Sequence, residues 1–330
     1  MGMRSIVFVA FLLISIPFFA QKSYNMQGFE LQLEPLMQQM VYSQNDNERF
    51  LANEQFISLM EDALEYDKSF SYPFDKLDKI SIITSPDKRF RIFTWAIVNE
   101  QGFWENYGFV QSQGASSGEY EVYRLYDKSD DIMNPEEEKL NDSVWFGAVY
   151  YDLIVNKYEG RTYYVLLGWD GNDIYKRRKI IEPVSFRQQN GRPVFGQNVF
   201  YKEKNRMRCI FEYSTDANFT LHYGQQYYEI ASNQKAKNSL LHKAQPFEKE
   251  PTKTEKQKMI FFDDLEPQTE GMEGLTQYYV NSGNMTGLYF EGGKWKKLKY
   301  NVQPRNKADK RDDYTPNTKI SGSLFPQKKS

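Results

Sequence analysis

The chain has 330 residues, with 42 Lys and Arg, 44 Asp and Glu, 2 His and 1 Cys, and a formal net charge of −2. Nucleic-acid and anionic-membrane binders need a concentrated basic surface, so this near-balance argues against both kinds of partner. A single Cys excludes an intramolecular disulfide, and the fold must therefore be stabilised by its hydrophobic core.

Residues 1–20 are predicted to form a signal peptide. Arg4 supplies a positive charge before an apolar run at 6–19, which is typical of a signal-peptide core and too short for a membrane span of about 20 residues. Ala20 places a small residue before the cut. We therefore expect an exported chain, periplasmic or extracellular, with no integral membrane segment after cleavage. The alternative is an uncleaved N-terminal anchor.

Residues 21–74 are predicted to form a helical region with two short helices. Apolar residues recur there at the spacing of one helix face. The first stripe is Leu33, Leu36, Met37, Met40 and Val41, and the second is Phe56, Ile57, Met60 and Leu64. The polar faces carry Gln, Asn and Glu rather than Lys and Arg, so we expect both helices to cover the following sheet and not a membrane surface.

Residues 75–302 are predicted to form an antiparallel β domain, because apolar and polar residues alternate with a period of two. The strand at 89–98 has apolar residues on both faces, and its second half is expected to be buried on both sides. Turn sequences such as 85–88 and 190–191 separate the strands. The predicted fold class is mainly β, an antiparallel meander with two short N-terminal helices, arranged as a sandwich, an open barrel or propeller-like blades.

Three further segments complete the predicted organisation. Residues 208–213 and 219–223 are predicted to pair as a hairpin. Residues 234–258 are polar and rich in Lys, which predicts a flexible insertion in the β domain. Residues 303–330 carry many charges and few large apolar groups, so they are predicted to form a disordered tail.

Four stretches of the β domain have idiosyncratic sequences: SPDKRFRIFTW at 85–95, LGWDGND at 167–173, IFEYS at 210–214 and FDDLEP at 262–267. The chain resembles, through these motifs, a family of uncharacterised exported proteins from Bacteroidetes-type bacteria. This resemblance implies a bacterial envelope or extracellular location. It brings no known activity and no catalytic residues.

Nucleophilic and zinc chemistry have little support in the sequence. The letters GASSG at 114–118 match a hydrolase nucleophile elbow, but that motif requires a following helix and the next residues alternate as a strand, which predicts a hairpin turn. A zinc site takes three or four N or S ligands, more than 2 His and 1 Cys readily supply. Cys209 shares a strand face with apolar residues and is predicted to be buried.

Asp170, Asn172 and Asp173 crowd one predicted turn and are the candidate metal ligands. Calcium prefers closely spaced oxygen ligands, so it is the cofactor that this cluster would hold. The spacing differs from that of an EF-hand loop. Asp and Asn also form turns by hydrogen bonding to the backbone, and this is the alternative.

Asp263, Asp264 and Glu266 form a second acidic cluster, predicted to follow a strand. Paired carboxylates act as acid and base in glycoside hydrolysis when they face each other across a cleft; the alternative is a solvated strand end. Aromatic residues near turns are candidates for stacking on sugars or peptides: Phe103, Trp104, Tyr107, Trp145, Trp169 and Trp295.

No catalytic constellation is complete in the sequence. We therefore expect a non-enzymatic binding or scaffolding protein with a protein or glycan partner in the cell envelope and no nucleic-acid partner. The alternatives are a carbohydrate-active hydrolase using paired carboxylates and a structural subunit of an envelope assembly. A cavity that holds two facing carboxylates beside Trp rings would favour the hydrolase.

Overall fold

The computed structural model describes residues 25–66, 68–116, 118–231, 252–299 and 302–303. The predicted signal peptide at 1–20, residues 234–251 of the predicted insertion and residues 304–330 of the predicted tail lie outside this part. Within it the fold is mainly β with two N-terminal helices, as the sequence predicts. Among the described helices, none is long and apolar enough to cross a membrane.

The helices are α1 (Met26–Tyr42) and α2 (Asp46–Glu65). The strands are β1 (Ser81–Thr84), β2 (Phe90–Val98), β3 (Trp104–Gln113), β4 (Tyr120–Tyr126), β5 (Leu140–Asn141), β6 (Val149–Tyr158), β7 (Arg161–Asp170), β8 (Lys176–Phe186), β9 (Pro193–Phe195), β10 (Cys209–Ser214), β11 (Leu221–Ala231), β12 (Thr252–Pro267), β13 (Tyr279–Glu291), β14 (Lys294–Lys297) and β15 (Val302–Gln303).

Both helices begin at an asparagine whose side chain caps the first turn. Asn25 Oδ1 accepts from Gly28 N at 2.8 Å, and Asn45 Oδ1 accepts from Glu48 N at 3.2 Å. The apolar stripes of α1 and α2 pack on each other and on one face of β2 and β3. The prediction that the helices cover the sheet is confirmed.

The strands form three open sheets. Sheet I has the order β1-β2-β3-β4, sheet II has the order β5-β9-β8-β7-β6 with β10 also paired to β8, and sheet III has the order β14-β13-β12-β11-β15. All the strand pairs are antiparallel, and the described strands close no barrel. The sheets are stacked, as in the sandwich alternative, but there are three of them.

Hydrophobic layers join the helices and the three sheets in series. On β2, Phe93 and Trp95 pack against the helices, while Ile92 packs against sheet II, so burial on both faces, predicted for the second half of the strand, also includes its first half. A second layer lies between sheets II and III and includes Leu167 and Ile260. Alternation along each central strand sends side chains to two different layers.

Two predictions of local structure are wrong. Segments 208–213 and 219–223 do not form a hairpin, because β10 pairs with β8 while β11 pairs with β12. Residues 252–258, predicted to belong to a flexible insertion, form the start of β12. This part of β12 is a strand although its side chains are polar, because its backbone pairs with β11. The pairing runs from Leu221 opposite Phe262 to Ala231 opposite Thr252.

Two other predictions are confirmed. β3 and β4 form the predicted hairpin, and at the turn between them Gly114 N donates to Glu119 O at 3.0 Å. Cys209 is 5% exposed, and burial raises the pKa of its thiol. The thiol is therefore held in its neutral form and acts as a small apolar side chain.

Candidate functional site

A cleft of ≈ 810 Å³ opens between sheets I and II. Its walls come from the start of β3, the end of β4 with the loop that follows, the end of β7 and the start of β8. Trp104 N donates to Asn172 O at 3.0 Å, which fixes the start of β3 to the β7–β8 turn. Polar side chains from strands of two different sheets therefore converge at one place.

Asn106 joins two carboxylates in this cleft. Its Nδ2 donates to Asp170 Oδ1 at 3.0 Å and to Asp127 Oδ2 at 3.1 Å. Asn106 is 4% exposed, and its Oδ1 has no hydrogen-bond partner among the described residues. An unpaired buried acceptor is costly, so this oxygen is available to a donor from water or from a ligand. We call Asn106, Asp127, Asp170 and Arg178 the floor of the cleft.

Asp170 is held by three donors. In addition to Asn106, Asn172 N donates to it at 3.0 Å and Arg178 Nη1 at 3.2 Å. Asp170 is 2% exposed, and burial raises the pKa of its carboxyl to about 6, against the opposing effects of the Arg178 charge and the Asn106 amide. Asp170 is therefore mainly ionised at neutral pH and becomes protonated in mild acid.

Arg178 is the fixed cation of the floor. Its Nε donates to Glu212 Oε1 at 2.7 Å, and its guanidinium lies 5.6 Å from the centroid of the Phe146 ring. Burial disfavours the charged guanidinium, but the neighbouring carboxylates of Asp170 and Glu212 outweigh it and raise the pKa of Arg178. The side chain is thus charged and anchored on both sides.

The loop after β4 positions Asp127. Its Oδ1 accepts from Ser129 N at 2.9 Å, from Ser129 Oγ at 2.5 Å and from Gly147 N at 3.2 Å. A Cβ on Gly147 would lie 2.0 Å from Asp127 Oδ2, so the carboxylate occupies space that only glycine leaves free. The second carboxylate is therefore as firmly placed as the first.

Trp104 provides an aromatic surface beside the floor. Its ring is half-buried and packs edge-to-face with Trp169, with 5.1 Å between the ring centroids. The ring also lies against Gly171, where a Cβ would be 2.3 Å from Trp104 Cγ. These contacts fix the orientation of the ring at the cleft wall.

The outer rim of the cleft is also aromatic. Phe103 and Tyr126 line it with 53% and 47% of their surface exposed. Tyr107 Oη donates to Glu105 Oε2 at 2.6 Å. Burial, followed by this hydrogen bond, raises the pKa of Tyr107, so its hydroxyl remains protonated.

The cleft is lined by charges of both signs, six carboxylates and four cations. Its carboxylates are Glu105, Asp127, Asp130, Asp131, Asp170 and Asp173, and its cations are Arg124, Lys128, Lys176 and Arg178. Because a polyanion or a polycation needs a wall of the opposite sign, this lining favours a polar ligand without net charge.

The three candidate metal ligands all line the cleft, where they build the β7–β8 turn. Asn172 adopts a left-handed φ of 52° and its Nδ2 donates to Asp173 Oδ2 at 2.8 Å, while Asp173 Oδ1 accepts from Tyr175 N at 2.7 Å. Among the described residues, no group of three or more His, Cys, Asp and Glu side chains could hold a metal ion. The geometry supports the turn-forming alternative, and calcium stays a prediction.

The second predicted acidic cluster lies inside β12 of sheet III, not after a strand. Asp263 Oδ2 accepts from Thr220 N at 2.6 Å, and Asp264 Oδ1 accepts from Thr286 Oγ1 at 2.7 Å. Of the described residues that line the cleft, none is Asp263, Asp264 or Glu266. The two predicted acidic clusters therefore do not share the cleft.

The aromatic candidates divide between the cleft and the core. Phe103, Trp104 and Tyr107 line the cleft, whereas Trp145 and Trp295 are 0% and 1% exposed. The buried indoles fill the layers between the sheets. The Tyr107 ring stacks on Trp95 with 6.0 Å between the ring centroids, so the exposed Phe103 and the half-buried Trp104 are the residues available for stacking.

Sequence reasoning missed Asn106, Asp127 and Arg178. In the sequence, Asn106 stands out only because it is polar. Val110, on the same face of β3, is apolar and packs towards sheet II. Asp127 stands among other acidic residues in its loop, and Arg178 lies in the basic run at the start of β8. Their composition resembles that of an ordinary solvated surface, so nothing local marks them.

The chain matches no protein-family model, no curated protein and no solved structure. The chemistry of the cleft consequently has to be inferred from its own geometry, which places fixed acceptors and donors beside an aromatic face.

Proposed function

We propose that this chain is a binding protein whose cleft holds a neutral saccharide. The observation that carries the proposal is the position of Trp104 beside a floor in which Asn106 bridges Asp127 and Asp170. A sugar ring has an apolar face of C–H groups and an edge of hydroxyls that both donate and accept. Trp104 supplies a surface for the face, and the floor supplies partners for the edge.

The size and rigidity of the cleft support this proposal. Its ≈ 810 Å³ lies within the range of about 300–1,000 Å³ that is usual for small-molecule sites. The carboxylates of Asp127 and Asp170 and the guanidinium of Arg178 are already held by hydrogen bonds within the protein. A ligand therefore does not have to order them, which lowers the entropic cost of binding.

The cellular location that accompanies this function is the bacterial envelope or the extracellular space. Its support is Arg4 with the apolar run at 6–19, together with the resemblance to exported Bacteroidetes-type proteins. N-terminal sequencing of the protein from a periplasmic extract tests it. A chain that begins at Gln21 supports export and cleavage, and a membrane-bound chain that retains residues 1–20 contradicts them.

A carbohydrate-active hydrolase is the second candidate. In its favour, burial raises the pKa of Asp170 to about 6 beside a second carboxylate, Asp127, as a general acid in glycoside hydrolysis requires. Against it, Asp170 is 2% exposed and both of its oxygens accept hydrogen bonds from the protein. We therefore place binding first. Release of reducing ends from an oligosaccharide by the wild-type protein, but not by Asp170→Asn, would establish hydrolysis instead.

An array of neutral mono- to hexasaccharides tests the proposed binding. We expect the wild-type protein to bind at least one sugar series and Trp104→Ala to weaken that binding about tenfold or more, since a buried aromatic contact contributes over 1 kcal/mol. Tyr201→Ala is the matched control, because Tyr201 is 50% exposed and does not line the cleft. The proposal would be contradicted if the wild-type protein bound none of the neutral glycans, or if Trp104→Ala and Tyr201→Ala lost affinity equally.

A further inference from the structure

We infer that the cleft is one of two adjoining subsites in a groove for a saccharide chain, an inference that rests on the proposed function. A second cavity of ≈ 480 Å³ shares Ser129, Asp130 and Arg178 with the cleft. Because both cavities use the same three wall residues, they meet along this wall. A saccharide chain that extends past Ser129, Asp130 and Arg178 would reach the second cavity.

The second cavity also combines apolar and polar side chains. Ile132 and Ile210, both half-buried, contribute apolar surface to it, Phe146 lies 2% exposed at its base, and Glu212 and Thr276 contribute polar groups. Thr276 Oγ1 donates to Glu212 Oε2 at 2.9 Å. An apolar surface beside fixed oxygens suits a further sugar unit for the same reason as in the cleft.

Arg178 stands between the two subsites and is fixed from both sides. Its Nη1 lies 3.2 Å from Asp170 Oδ2 in the cleft, and its Nε lies 2.7 Å from Glu212 Oε1 in the second cavity. Its Nη2 donates to none of the described residues. That group is therefore available to donate hydrogen bonds to sugar oxygen atoms near the linkage between two sugar units.

The consequence is a dependence of affinity on chain length. A disaccharide occupies the cleft alone, whereas a longer chain gains contacts with Ile132, Ile210 and Thr276. Both subsites include Arg178 at the start of β8, so the second contact is intramolecular once the first is made. We expect a hexasaccharide to bind at least about tenfold more tightly than the disaccharide of the same series.

Isothermal titration of the full-length protein tests this, with the disaccharide and hexasaccharide of the neutral series that binds best on the array. Thr276→Trp fills the second cavity, and Thr269→Trp places the same side chain at an exposed position of the same β12–β13 connection. We expect Thr276→Trp to abolish the preference for the hexasaccharide, measured as the ratio of hexasaccharide to disaccharide affinity. Thr269→Trp should behave as the wild type does.

The outcomes separate this inference from the proposed function. Equal wild-type affinities for disaccharide and hexasaccharide, or equal losses for both in Thr276→Trp, would overturn the two-subsite groove while leaving saccharide binding intact. Binding of neither sugar would overturn the proposed function itself. If Thr276→Trp loses its native circular dichroism spectrum, Thr276→Arg repeats the test with a side chain that is tolerated at a solvated edge.

Discussion

Arg208 and Glu182 form a wholly buried ion pair, with 2.8 Å between Arg208 Nε and Glu182 Oε2 and 0% exposure for both side chains. Arg208 Nη1 also donates to the carbonyl oxygens of Pro135 and Glu138, and its Nη2 donates to Phe195 O. One guanidinium therefore joins β8 and β9 to the loop between β4 and β5. The same loop supplies part of the cleft wall, so this pair supports the candidate site from within the core.

We predict that Arg208→Met lowers the free energy of unfolding by roughly 3–5 kcal/mol, because it leaves the Glu182 carboxylate buried without its cation. The double variant Arg208→Met/Glu182→Met should recover much of this loss, since apolar replacement of a complete buried pair is often neutral or stabilising. Urea unfolding monitored by circular dichroism measures both.

A solvent-exposed pair provides the control for this prediction. Arg206 and Glu203 are 2.8 Å apart with side-chain exposures of 39% and 48%, and Arg206→Ala should cost less than about 1 kcal/mol. If Arg208→Met costs no more than Arg206→Ala does, the buried pair does not hold the loop in place.

A second prediction concerns the docking of α2 on sheet I. Trp95 Nε1 donates to Asn53 Oδ1 at 2.8 Å, and both residues are 1% exposed. Asn53→Leu leaves the indole N–H unpaired in the core, so the free energy of unfolding should fall by about 1–3 kcal/mol. Glu54→Leu, at the exposed neighbouring position, should change it by about 0.5 kcal/mol or less. Equal effects in the two variants would show that the hydrogen bond contributes nothing.

Local spacing along the chain was sufficient to predict the helices and most strands. The Leu33–Met37–Met40 stripe of α1 and the alternation of Phe93 and Trp95 in β2 each lie on the face that their period indicates. Such patterns succeed because a side chain's direction follows from a few neighbouring residues. The same reasoning placed residues 114–118 in a turn.

Strand pairing and the candidate site depend on contacts that no local pattern encodes. β11 pairs with β12, which follows it in the chain after residues 232–251. Asn106 donates a hydrogen bond to Asp170, which lies 64 positions later in the chain. The turn position of Asp170 can be predicted from its neighbours, but Asp127, which shares Asn106 with it, lies in a separate loop after β4. Which polar residues meet is decided by how the sheets stack, and composition alone does not show this.

Asp170 should make stability depend on pH in mild acid. Its folded pKa of about 6 exceeds the value of about 3.9 for an unfolded chain. The folded state therefore binds this proton more tightly, and the contribution of Asp170 to the free energy of unfolding falls as the pH rises from about 4 to about 6. Relative to Asp170→Asn, the wild-type protein should lose on the order of 2–3 kcal/mol across this window.

Urea unfolding of both proteins at several pH values gives this difference directly, because the remaining titrations are common to them. Carboxyl ¹³C shifts provide an independent value of the pKa of Asp170. A difference curve that stays flat over the window, or that rises with pH, would mean that the donors around Asp170 outweigh its burial.

The contact between Trp104 and Gly171 allows the cleft wall to be altered without removing a polar group. An added Cβ at Gly171 would lie 2.3 Å from Trp104 Cγ, so Gly171→Ala must displace the ring. We expect a loss of about 1–3 kcal/mol in the free energy of unfolding from overpacking, and saccharide affinity about tenfold weaker because the stacking surface has moved.

Gly224→Ala is the matched control, because the nearest heavy atom to a Cβ there is Phe261 Cε1 at 3.9 Å. This variant should leave both unfolding and saccharide affinity close to those of the wild type. The comparison separates the displaced ring from the general effect of replacing glycine by alanine. If Gly171→Ala keeps wild-type affinity while its unfolding shows the expected loss, the orientation of Trp104 does not determine binding and another part of the cleft must hold the sugar face.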